Sequence, residues 1–122
     1  MSKPVVLELP LPDRDLHPNS RVHYMAKARK TKNHRAMAKV VAMFAKEHDV
    51  PWKAATVLCQ FTFRDHRRRD KDSLLSCQKA YFDGIQDARV IEDDSQLTFL
   101  PVEILPPSSK TGVKITITET PT

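Results

Sequence analysis

Ala55-Thr56-Val57-Leu58-Cys59-Gln60-Phe61-Thr62-Phe63 alternates along its length. Val57, Cys59, Phe61 and Phe63 fall on one face and Leu58, Gln60 and Thr62 on the other, the period-two pattern of a strand laid against a core. The strand ends where the arginines of Arg67-Arg68-Arg69-Asp70-Lys71-Asp72 begin. Asp72 or Ser73 can then cap a helix running to about Ala88, with Leu74, Leu75, Tyr81, Phe82 and Ile85 at helical spacing. Downstream, Leu97, Phe99 and Ile104 predict a third strand, bent or interrupted at Pro101 because proline cannot donate to a ladder. The turn of residues 106–112 leads into Val113-Lys114-Ile115-Thr116-Ile117, a cleanly alternating strand. Upstream, residues 4–9 read as a short strand closed by Pro10 and Pro12, followed by a loop through His17-Pro18-Asn19-Ser20. Residues 23–47 read as a helix whose Met25, Ala28, Ala36, Val40, Met43 and Phe44 share one stripe, stopped by Asp49 and Pro51. The order is βαβαββ: an α+β fold with a mixed β-sheet packed against two helices, in a single domain over residues 1–122.

The chain is long enough for one core and too short for two. Hydrophobic residues at 40% and charged residues at 29% are ordinary globular values and argue against wholesale disorder. Two glycines against nine prolines argue against a glycine-rich phosphate cradle. Cys59 and Cys77 match no zinc spacing and are expected as free, buried thiols in a reducing cytosol. The N-terminal segment does not resemble a signal peptide, and no apolar run approaches a membrane span, so a soluble, cytoplasmic protein with no membrane contact is expected.

Charge is unevenly placed. Seven of the fifteen acidic residues fall between Asp70 and Asp94. None lies between Asp15 and Glu47, where Arg21, Lys27, Arg29, Lys30, Lys32, Arg35, Lys39 and Lys46 stand instead. Alone, such a helix is a solvated face; eight cations without one acid, in a chain of net charge +5, point to phosphate contact. Asp70 and Asp72, two apart at the mouth of a strand, point to one side, and Glu92-Asp93-Asp94 follows about twenty residues later. Gathered carboxylates repel one another, and a hard divalent cation such as Mg²⁺ relieves the repulsion. Each acidic turn has a plain alternative: turn chemistry with an N-cap for Asp70 and Asp72, a polar turn before a strand for Asp93-Asp94. In combination they suggest a metal site, and the arginines beside it suggest a phosphodiester substrate. Lys79, counted two helical turns from Asp72, is either an i, i+4 surface partner of Asp83 or a cation stabilising charge on a cleaving phosphate. His17, His23, His34, His48 and His66 show no ligand spacing, and exposed or capping roles are expected of them.

Arg67 to Asp72, Leu74, Lys79, Phe82-Asp83-Gly84-Ile85 and Val90-Ile91-Glu92-Asp93-Asp94-Ser95-Gln96 resemble the RusA family of Holliday junction resolvases, small Mg²⁺-dependent endonucleases of phages and prophages. The likeness also takes in Leu9-Pro10-Leu11-Pro12, the loop with Asn19, the basic helix and the strand from Gly112 to Ile117, so it spans nearly the whole chain. It implies that Asp70, Asp72 and Asp94 bind Mg²⁺ (or Mn²⁺ in its place), with Asp93 assisting or replacing Asp94, and that Lys79 is the active-site lysine. It also implies a homodimer that resolves four-way DNA by paired phosphodiester hydrolysis in recombination and repair. Lys27, Arg29, Lys30, Lys32, Arg35, Arg67, Arg68 and Arg69 would meet the DNA backbone. A nuclease for other branched DNA, or a non-catalytic DNA-binding protein, is the alternative. The chain departs from the family pattern in having Ser73 where an asparagine is usual, and a lysine seven residues after Asp72 in place of four.

Overall fold

The computed structural model describes residues 3–13, 16 and 23–120. In chain order its elements are β1 (Val5–Leu9), α1 (Tyr24–Ala45), β2 (Ala55–Thr62), α2 (Lys71–Ser76), α3 (Lys79–Asp87), β3 (Leu97–Phe99), β4 (Glu103–Ile104) and β5 (Gly112–Glu119). The strands form one mixed sheet in the order β1-β5-β2-β3, with β4 also on β2. Strand β5 runs antiparallel to β1 and to β2, whereas β3 and β4 run parallel to β2. A parallel neighbour requires a crossover, which α2 and α3 supply. The α+β architecture and the element order agree with the sequence reading, as does the edge strand interrupted around Pro101. On either side of the interruption the ladder persists, with the Leu100 amide donating to the Val57 carbonyl (2.9 Å) and the Leu105 amide to the Phe61 carbonyl (2.8 Å).

Register explains the core. Val5, Ile117 and Val57 form one row across the sheet, Leu7, Ile115 and Cys59 a second, and Leu9, Val113 and Phe61 a third. All nine are buried on the helix-covered face. The alternate positions Val6, Thr116 and Leu58, and Glu8, Lys114 and Gln60, are exposed or half-buried on the opposite face. Helix α1 crosses α3 and β1. The crossing with α3 is close because position 84 is glycine: a Cβ there would collide with the Arg35 carbonyl oxygen and come within 2.9 Å of Ala38 Cβ.

Two expectations are corrected. Met25, Ala28, Ala36, Val40, Met43 and Phe44, expected to share the apolar stripe of the first helix, are all exposed; the buried residues are Ala38 and Ala42, with Met37, Val41 and Ala45 packed beside them. Alanines win the core-facing positions because only small side chains let α1 approach α3. The second helix is not continuous from 72 to 88 but breaks at Cys77-Gln78. The Leu74 carbonyl, which the Gln78 amide would meet in an unbroken helix, instead accepts from Cys77 Sγ (3.1 Å) and Gln78 Nε2 (3.4 Å). The Gln78 amide turns to Leu75 (3.2 Å), tightening the chain while both side chains are buried. Helix α3 ends in a Schellman motif, with Arg89 at φ 64°, its amide on the Gln86 carbonyl (2.9 Å) and that of Val90 on Ile85 (3.4 Å). Cys59 and Cys77 are free and buried, as expected, and burial pushes both thiols up to about 11.

Candidate metal and nucleic-acid site

Strand β2 delivers the chain to the charged loop, and that loop is held by its own side chains. The Arg69 guanidinium lies 3.7 Å over the Phe63 ring and donates to the Asp65 carboxylate (2.8 Å) and the Arg67 carbonyl (2.8 Å). Asp65 also accepts from the Arg67 amide (2.9 Å). That amide, and then Arg69, hold the Asp65 carboxyl below the usual carboxylate range. Arg69 is therefore engaged inside the loop, whereas Arg67 and Arg68 are exposed. The signal in the sequence is Asp65 placed two residues before Arg67 and four before Arg69, a pairing the sequence reading did not use.

Asp70, not Asp72 or Ser73, caps α2. Its Oδ1 accepts from the Asp72 amide (3.1 Å) and its Oδ2 from the Ser73 hydroxyl (3.0 Å). Asp72 lies in the first turn of the helix, where the exposed peptide N–H groups favour a carboxylate, and its side chain is exposed. Each Asp70 oxygen accepts one hydrogen bond and keeps a further lone pair. The strand alternation expected to point Asp70 and Asp72 to one side does not apply, because β2 ends at Thr62 and the two stand at the N-cap and in the first turn of a helix, where residues two apart do not face each other. Both remain hard oxygen donors of the kind that hold Mg²⁺ together with water, and so suit the ion in donor type.

The later acids form a turn of their own. Asp93 accepts from the Ser95 hydroxyl (2.8 Å) through its side chain and from the Gln96 amide (3.1 Å) through its carbonyl, forming the 3-10 turn Asp94–Gln96. That turn precedes Leu97, which pairs with Ala55 at the start of β2, whereas Arg69 stacks beyond the end of β2. Among the described residues no three of His, Cys, Asp and Glu gather into a group able to hold a metal. The side chain of Asp94, the third ligand implied by the family resemblance, lies outside the described residues.

Lys79 opens α3, with its ammonium 3.8 Å from Asp83 and its side chain 78% exposed. Because the helix breaks before it, the count of turns from Asp72 no longer places the two on one face. On α1, Arg29 and Lys32 are exposed and Lys27 is half-buried. Lys30 is 3.3 Å from Asp13, and Arg35 grips Asp87 through both of its carboxylate oxygens (Nη2 to Oδ1, 2.8 Å). This bidentate contact holds the Asp87 carboxyl below its usual range and raises the guanidinium pKa. Neither pairing is legible in a linear sequence, since Arg35 and Asp87 are 52 residues apart.

Three of the histidines serve structure; His66 is exposed, and His17 lies outside the described residues. His23 caps α1, accepting from the Met25 amide (3.2 Å). His34 bridges the Lys30 carbonyl and the Asp13 amide and stacks on Tyr81, while His48 stacks on Trp52 at 4.0 Å. Both are half-buried, more enclosed than the exposed or capping roles expected of them. Asn19 and Arg21, named from the sequence, lie outside the described residues.

Among the described residues no helix is long and apolar enough to cross a membrane. No protein-family profile matches the chain. It is 34% identical over 95 residues to an uncharacterized protein of Xylella fastidiosa, an alignment covering 71% of this chain and 59% of that protein. The chain thus spans about three fifths of the length of that relative.

Proposed function

We propose that the protein is a divalent-metal-dependent endodeoxyribonuclease for branched DNA, resolving four-way junctions in the manner of the RusA family it resembles. The observation that carries the reading is the run of exposed charge at the head of α2, where the Asp70 and Asp72 carboxylates follow directly after the exposed Arg67 and Arg68. Asp70 and Asp72, with Asp94 as third ligand or Asp93 in its place, would hold Mg²⁺ or Mn²⁺. The ion supplies Lewis acidity and an activated water. Arg67 and Arg68 would orient the phosphodiester backbone by charge-assisted hydrogen bonds, and Arg29 and Lys32 would meet phosphates farther along it. A four-way junction offers two symmetry-related strands, which a twofold homodimer would match. Cytoplasmic action and a phage or prophage origin belong to the same reading.

A non-catalytic DNA-binding role is the second reading, favoured by the structural task Asp70 already has, capping α2 and accepting from the Asp72 amide and the Ser73 hydroxyl. One assay separates them: purified protein on a synthetic four-way junction, with Mg²⁺ and with EDTA. Cleavage that needs the metal, disappears in Asp72→Asn and leaves junction binding intact or tighter is the expected result, because removing a negative charge cannot weaken phosphate binding electrostatically. Binding without cleavage under any divalent ion selects the second reading. Equal cutting of duplex and junction would replace the branched substrate with a general one.

A further inference from the structure

Two neighbouring hollows flank α1 and share Lys27 and Thr31 as a common wall. One, of roughly 500 Å³, is lined by Tyr24, Lys27, Thr31, Lys32 and Arg35. The other, of roughly 310 Å³, opens between α1 and α3, with Lys27 and Thr31 facing Ser76, Lys79 and Asp83. The chemistry of the walls is selective. The Thr31 hydroxyl proton goes to the Lys27 carbonyl (2.8 Å), so it has no donor for an anion. Arg35 is held by Asp87. The cations left to meet a ligand are Lys27, Lys32 and Lys79, the last at 3.8 Å from Asp83, longer than a direct hydrogen bond. At the head of this groove Tyr24 is 75% exposed, with the His23 ring 4.6 Å from it. An exposed ring alone is ordinary. Here Lys27, one helical turn on, and Lys32, two turns on, set cations beside the ring at the spacing of one helix side.

We propose that this groove takes a single-stranded stretch of nucleic acid, its backbone straddled by Lys27 and Lys79 and one unpaired base stacked on Tyr24. Cations that track a backbone beside an aromatic platform are the means by which unpaired strands are bound. The hollow between the helices is at the small end of ligand sites, suited to one nucleotide and not to a duplex. In a duplex the base faces are hidden in the stack, so Tyr24 finds one only where pairing is broken. The inference rests on the nucleic-acid reading above and narrows its substrate to DNA whose branch point exposes unpaired bases.

Fluorescence anisotropy with a labelled single strand, a duplex of equal length and a four-way junction tests it. Tyr24→Ala weakens single-strand binding about tenfold and leaves duplex binding unchanged, and Tyr24→Trp restores it. Lys27→Gln and Lys79→Gln each weaken single-strand binding, and because both face one phosphate their double variant departs from the product of the single effects. Lys110→Gln, on an exposed turn away from the groove, measures the effect of net charge alone. Equal losses on single strand and duplex for Tyr24→Ala, or strict multiplication of the two lysine effects, overturn the groove while sparing the proposed function. Wild-type protein that binds none of the three substrates overturns both.

Discussion

Gly84 shows how much one residue decides. Glycine inside a helix costs about 1 kcal/mol against alanine, so by propensity alone Gly84→Ala should stabilise α3. The added Cβ, however, would meet the Arg35 carbonyl and the Lys39 amide nitrogen, both backbone atoms of a helix that cannot rotate aside as a side chain does. Overpacking of this kind costs about 1–3 kcal/mol or more, and the clash wins. Gly84→Ala is expected to lower the urea midpoint by a net loss of about 2 kcal/mol or more; a midpoint raised above wild type would mean that α1 and α3 do not cross at this point. The same crossing holds Arg35 against Asp87, so the variant is also expected to loosen that pair.

Elements depart from their sequence pattern where their neighbours demand it. On α1 the larger apolar residues Val40, Met43 and Phe44 face outward and the alanines inward, since the distance to α3 is set by the smallest side chains. Val40→Gln and Phe44→Gln should therefore change stability by no more than about 0.5 kcal/mol, whereas Ala42→Leu should cost about 1–3 kcal/mol. Chemical denaturation of the three variants checks the assignment, and a larger loss from Phe44→Gln than from Ala42→Leu would reverse the helix. The break between α2 and α3 has the same origin. Leu74, Leu75, Tyr81, Phe82 and Ile85 sit at helical spacing in the sequence, but the burial of Cys77 and Gln78 draws their side chains onto the Leu74 carbonyl and ends the first helix early.

At the scale of the whole molecule, the net charge of +5 is not spread evenly: cations crowd α1 and the loop after β2, and acids follow them. Tertiary contacts then withdraw some of those cations from use. Arg35 is held by Asp87, Arg69 by Asp65, and Lys30 lies against Asp13. Arg29 and Lys32 are exposed and have no ion-pair partner among the described residues, so the share of the salt dependence that α1 contributes to DNA binding should rest largely on them, beside that of Arg67 and Arg68. The double variant Arg29→Ala with Lys32→Ala is expected to reduce the slope of log K against log salt by about 2, one phosphate contact for each cation. Lys30→Ala is expected to change it much less. A slope insensitive to the double variant would mean that α1 presents only a solvated face.

The strands, their inward rows and the βαβαββ order were legible in the sequence, because alternation with period two is a local pattern that a sheet with one covered face must satisfy. The acidic and basic segments were legible for the same reason, as runs of residue type. What only the tertiary structure decided was which apolar face of α1 is buried, where the second helix breaks, and which charges remain available. Each depends on packing that the linear pattern does not carry: Gly84 for the approach of α1, the burial of Cys77 and Gln78 for the break, Asp87 for Arg35. Helical periodicity allows more than one face to be read as the buried one, and a charge carries no mark of its partner. Packing distance and desolvation, which exist only once the chain has folded, choose between them.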